Sequence, residues 1–114
     1  MKKISLKETS EFKNSDLCIA TEYPFGDKDI DISTAVINGM YPEKDYCVNT
    51  EVKEMIYVLE GSGEIHKENE VISFKAGDAI LIDKGEKYFW VANCKVLMAC
   101  TPAWYPEQHI IVNW

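Results

Sequence analysis

From Ile30 onward the chain is cut into short runs in which apolar and polar residues alternate, each closed by residues that tolerate tight backbone. Period-two alternation puts every second side chain on the same face, so a chain written this way folds as sheet with one buried side. The runs fall at 29–38, 46–50, 54–60, 63–67, 70–74, 79–82, 87–92, 95–101 and 109–113. Gly39, Glu68-Asn69, Ala76-Gly77-Asp78, Lys84-Gly85 and Asn93 separate them with turn chemistry. Gly61-Ser62-Gly63 invites a phosphate-loop reading, but that loop needs a helix after it, and Glu64-Ile65-His66-Lys67 reads as strand. A hairpin turn is expected there instead. Many short strands with little helix predict an all-β sandwich or barrel, closed so that few sheet edges are left open.

The first 28 residues read differently. Leu6, Phe12 and Leu17 are sparse anchors among charges, and Ser5 with Glu8 has the spacing of a capping box. The expectation is a short N-terminal arm or helix, 1–28, packing on a single barrel domain, 29–114. With 114 residues there is room for one core and no second independent domain.

Charge narrows the partners. Twelve basic residues against 19 acidic give a net charge of −7, and no basic run interrupts that balance. The long-range field repels phosphate backbones and anionic lipid, so neither nucleic acid nor membrane is an expected partner. Cys18, Cys47, Cys94 and Cys100 form no C-x-x-C pair, which suits free thiols in a reducing compartment. The first residues alternate instead of forming the apolar stretch of a secretory signal, and no apolar run approaches the roughly 20 residues of a membrane helix. A cytoplasmic location is the simplest expectation.

Glu54-Met55-Ile56-Tyr57-Val58-Leu59-Glu60-Gly61 with Gly63, followed by Gly77-Asp78-Ala79-Ile80-Leu81-Ile82-Asp83-Lys84-Gly85, resembles the two motifs of the small single-domain cupins. Glu54 and Gly61 fit the spacing of the first motif. Gly77 and Gly85 fit the second, with Asp83 where proline is usual. The likeness spans roughly residues 35–101. It implies a cupin-type jelly-roll β-barrel, usually a homodimer, with a pocket inside. Cupins usually bind a metal through three histidines and the glutamate, and here the three histidine positions fall on Cys47, Asn49 and Tyr88. Only the carboxylate is kept, so the resemblance implies a degenerate metal site.

Cys47 and Asn49 lie two apart on one expected strand and share a face, as do Tyr88 and Trp90 on another. The resemblance turns both pairs inward beside Glu54 and Ile56. A soft thiol beside a carboxylate, an amide and a phenol is a poor set for any one divalent transition metal. A metal site of altered composition would draw on Cys47, Glu54 and His109. Without metal, a carboxyl group buried in an apolar barrel has a raised pKa and exchanges protons near neutrality, with Tyr88 opposite Glu54 as donor. The simpler readings are a space-filling Cys47, a Glu54–Tyr88 pair that satisfies two buried polar groups, and core aromatics at Tyr41, Trp90 and Trp104. His66, among charges, reads as surface.

The leading expectation is a small-molecule-binding barrel whose ligand touches Cys47, Asn49, Glu54, Tyr88 and Trp90. The alternative is a small enzyme: a metal-free isomerase or lyase using Glu54 and Tyr88 as catalytic residues, or a metal-dependent one with the altered ligand set. The segment Pro102–His109, with two prolines, is expected to be an ordered loop leading into a last strand, poised to cover the barrel mouth.

Overall fold

The computed structural model describes residues Met1–Trp114 and is antiparallel sheet throughout. Its strands are β1 (Ser10–Ser15), β2 (Cys18–Glu22), β3 (Asp31–Tyr41), β4 (Tyr46–Asn49), β5 (Lys53–His66), β6 (Val71–Lys75), β7 (Ala79–Ile82), β8 (Lys87–Thr101) and β9 (His109–Val112). Two three-residue 3-10 turns, Leu6–Glu8 and Pro106–Gln108, are the only helical pieces. No helix is long and apolar enough to cross a membrane. The all-β jelly-roll expectation holds.

β8 is the longest strand because its alternation never breaks: Tyr88, Trp90, Ala92, Cys94 and Val96 are buried, while Val91 and Asn93 face out. The strand break expected at Asn93 is absent, since an outward asparagine fits an exposed strand face. β3 pairs with β8 from Asp31↔Cys100 to Tyr41↔Trp90, and β5 lies on its other side from Lys53↔Thr101 to His66↔Phe89. β7 and β6 extend β5, and β4 carries the edge strand β9. The curled sheet closes over a core that includes Ile37, Ile56, Val58, Ile65, Phe74 and Val96.

Gly61-Ser62-Gly63 is a correction to the expected turn, because β5 runs straight through it. A bulge at Leu59 inserts one residue against β8, so the inward face changes from Glu54, Ile56 and Val58 to Ile65. The glycines then let β5 lie tight on β8. A Cβ at Gly61, where φ is +80°, would drive into the Asn93 carbonyl oxygen, and one at Gly63 into the Cβ of Ala92.

The N-terminal segment takes a more specific form than the expected arm or helix. Glu8 accepts the Ser5 N–H at 3.1 Å, and beyond that short turn residues 10–22 form a hairpin that packs on the barrel. β2 extends the sheet from β3 in the register Cys18↔Ile37 to Glu22↔Ser33, and Cys18 and Ala20 join the core. Its inward residues are small and β1 has one large apolar side chain, Phe12, so the alternation was faint in the sequence.

Gly61→Ala is expected to destabilise by about 3 kcal/mol through overpacking and backbone strain. Gly77→Ala, where φ is +94° with open space around it, is expected to lose only about 1–2 kcal/mol. Denaturant unfolding of both variants checks the ordering.

Candidate functional site

The curled sheet encloses a narrow cavity of about 80 Å3 that opens at one mouth. The N-terminal hairpin supplies Phe12, Cys18 and Glu22, β3 supplies Asp31 and Tyr41, and β5 supplies Glu54. Tyr88, Trp90 and Cys100 of β8 form the floor, and Trp104 and His109 close in from the C-terminal side. Apolar walls with a few convergent polar groups are what a small-molecule site requires.

The polar groups are ordered by a sequence of hydrogen bonds that begins in the backbone. The N–H groups of Glu51 and Val52 donate to Gln108 Oε1 at 3.3 and 3.2 Å, which fixes that buried amide. Gln108 Nε2 therefore donates, to Asn49 Oδ1 at 3.0 Å. The same oxygen lies 2.9 Å from His109 Nδ1. An amide oxygen only accepts, so Nδ1 carries the hydrogen and Nε2 keeps its lone pair. Tyr41 Oη is 2.8 Å from Nε2, and in this tautomer its hydroxyl donates to the ring. Burial holds the imidazole pKa below its usual 6.5, so the ring is neutral at physiological pH.

Asn49 joins this base to an acid. Its Nδ2 donates to Glu54 Oε2 at 3.4 Å, and the Cys100 thiol lies 3.7 Å from Oε1. Burial raises Glu54 to about 7, with the nearby Asp31 charge adding to the effect. Half of the Glu54 population is then protonated near neutral pH. Tyr88, buried beside Cys47 and Glu54, is held protonated well above the usual phenol range. Asp31 Oδ2 accepts the Trp104 N–H at 3.0 Å, which pins the loop at the mouth.

A transition metal does not fit this donor set. Burial pushes the Cys47 thiol up to about 12, and its hydrogen is donated to the Tyr88 carbonyl at 3.3 Å. The Asn49 oxygen already accepts two hydrogen bonds, and Tyr88 keeps its proton. No three His, Cys, Asp or Glu side chains are gathered as ligands, so Cys47, Glu54 and His109 do not form the altered set.

Of the residues expected in the pocket, Glu54, Tyr88 and Trp90 line the cavity together. Cys47 and Asn49 are buried as expected, yet they stand behind the lining, and Asn49 acts through His109 and Glu54. His109, placed after the last long strand, does reach the cavity, carried by β9 in the pair Asn49↔His109. Tyr41 as its partner, and Glu22 and Asp31 on the wall, were not singled out for chemistry. Two-residue spacing on β3 is the one sequence signal that places Asp31 with the inward residues Ala35 and Ile37. His66 stacks on Phe89 and lies 3.0 Å from Glu64, away from the cavity.

A family model described as "Cupin domain" matches residues 48–98. A search of curated protein sequences returned no match. Among solved structures, the fold is similar to that of Pac13, a Streptomyces nucleoside dehydratase of which variants were solved with uridine. That likeness has a TM-score of 0.87 at 17% identity and covers 100% of this chain and 92% of the other. The polyketide cyclase RemF of Streptomyces resistomycificus is similar at TM-score 0.75 and 19% identity, over 100% and 87% of the two chains. Ectoine synthase of P. lautus is similar at 0.76 and 16%, over 98% and 90%.

The raised pKa of Glu54 links it to stability. The folded state holds this proton more tightly than an unfolded chain with an ordinary value of 4.5. The contribution is therefore complete below about pH 4.5 and is lost as pH rises to about 7, a change of about 3 kcal/mol. Glu54→Gln is expected to remove this part of the pH slope, measured by denaturant unfolding between pH 4.5 and 8.

Proposed function

This chain is a small cupin-type domain, and on that footing we propose that its cavity binds a small ring-bearing molecule and moves protons on it as a lyase or isomerase. The observation that carries this reading is His109, neutral, its Nδ1 pinned by Asn49 and its basic Nε2 at the cavity. Poised near neutrality, Glu54 supplies the acid on the same asparagine. Opposed groups with pKa values set apart by their surroundings are the requirement for acid–base chemistry. The sequence pairs Glu54 as proton exchanger with Tyr88 as donor; in the proposed reaction the base role falls to His109 of β9.

In the reaction we favour, a β-hydroxy carbonyl compound loses water. The substrate displaces the Tyr41 hydroxyl from Nε2, and Nε2 takes the proton on the carbon next to the carbonyl. The electron pair forms the C=C bond as the β C–O bond breaks, and the departing oxygen takes the Glu54 proton and leaves as water. The freed Tyr41 hydroxyl donates to the carbonyl oxygen. The fold shared with a nucleoside dehydratase makes nucleosides and their carbonyl derivatives the first compounds to try. The aromatic rings of Trp90 and Trp104 offer stacking faces for such a base.

The partner expected from the family resemblance, a second copy of the chain, has a surface to occupy. Leu81, Met55, Ala99 and Ile32 form one outward row across β7, β5, β8 and β3. Tyr57 with Leu97 lies in the next row, and Met55 and Tyr57 are each about half exposed.

Turnover of a screened substrate is expected to fall 10²- to 10³-fold in His109→Gln with the fold intact by circular dichroism. Its pH profile should be a bell, falling above about 7 as Glu54 ionises and falling on the acid side, below the ordinary imidazole range, as His109 takes a proton. A His109→Gln variant at full activity sinks the reading. For the second copy, light scattering should find a dimer in the wild type and a monomer in Met55→Asp.

A further inference from the structure

Glu22, Asp31 and Glu54 form one band across the cavity wall. Asp31 and Glu54 flank Cys100 in register from opposite sides of β8. Glu22 sits against Ser33, two residues along the same inward face of β3. Neither lysine nor arginine lines the cavity, and none of the protein's ion pairs includes these three acids. His109, the one basic group in the lining, is kept uncharged by its burial. No group of the protein hydrogen-bonds the Glu22 carboxylate, and Asp31 spends one oxygen on Trp104. Low-dielectric walls focus the uncompensated charge of Glu22 and Asp31, and of the ionised fraction of Glu54, into the cavity. An anion entering would give up its water and face net repulsion from these carboxylates with no cation to offset it, whereas hydroxyl or N–H donors find free acceptor oxygens.

We infer that Glu22 and Asp31 set the charge class of the substrate: the cavity takes an uncharged, hydroxyl-rich ring compound and rejects its phosphorylated or carboxylated forms. This rests on the cavity being the binding site, and it deepens the proposed function by naming which molecules reach His109. Within it, Glu22 and Asp31 are specificity residues, distinct from the groups that move protons. Enzymes that act on phosphorylated intermediates would neither feed nor drain this site directly; its substrate comes from a dephosphorylated or never phosphorylated pool.

The test reads the cavity with and without a ligand. In a Trp114→Phe background, the fluorescence of Trp90 and Trp104 reports on the cavity, and iodide and acrylamide serve as anionic and neutral quenchers at constant ionic strength. Iodide quenching is expected to be weak relative to acrylamide, and Glu22→Gln with Asp31→Asn to raise it at least twofold while acrylamide quenching stays unchanged. Should the double variant lose its fold, Glu22→Gln alone is read the same way, with a smaller expected rise. Iodide quenching that does not respond to these variants overturns the inference. Calorimetric titration of uridine and uridine 5′-monophosphate adds the ligand arm: the monophosphate is expected to bind at least 50-fold more weakly, with the gap narrowed in the double variant. A monophosphate that binds as tightly as uridine also overturns it. Neither arm depends on turnover, so an active His109→Gln enzyme would defeat the proton-transfer reading and leave charge selection standing.

Discussion

β8 is paired along almost its whole length on both sides, and every other part of the molecule is placed relative to it. Four of its residues, Tyr88, Trp90, Met98 and Cys100, line the cavity, while its two neighbours carry Asp31, Tyr41 and Glu54 to that lining in fixed register. A strand held on both edges cannot slip by one residue without turning its whole buried set outward. The positions of two carboxyl groups and a phenol therefore follow from the two ladders on one strand. The bulge at Leu59 shifts β5 by one residue on its ladder, and the glycines after it let the two backbones lie close together.

The polar chemistry is laid over this frame from outside. A backbone turn at Glu51 and Val52 fixes Gln108, Gln108 fixes Asn49, and Asn49 fixes both the tautomer of His109 and one oxygen of Glu54. Each link leaves the next amide or ring one way to satisfy its donors and acceptors. Buried polar networks of this kind hold geometry well when every member is satisfied, and no buried side-chain nitrogen or oxygen here lacks a partner.

Much of the fold was legible because alternation is strong where one face is buried. Ile56 and Val58, Tyr88 and Trp90 announce their faces, and Glu54 stands out as a carboxyl on an otherwise apolar face. The β1–β2 hairpin was not legible, since Cys18 and Ala20 are too small to mark an inward face and β1 is mostly polar. The turn at Gly61 misled because glycines that permit close strand approach look the same as glycines that permit reversal. Within the site, the inward set on β4, β5 and β8 was readable from two-residue spacing, but the meeting of Tyr41 and His109, 68 residues apart, is a tertiary event with no local signature.

His109 rides on β9, a four-residue strand at the sheet edge that is paired only to β4. Edge strands this short open at lower free energy than the ladder behind them, so they exchange their amide hydrogens by local fraying without global unfolding. Lifting β9 would carry His109 away from Asn49 and Tyr41, while Gln108, tied to Glu51 and Val52, would stay behind. The placing of His109 thus has its own equilibrium, set by how firmly the last few residues dock, and changes at its outward neighbours Ile110 and Ile111 are able to tune it without lining the cavity.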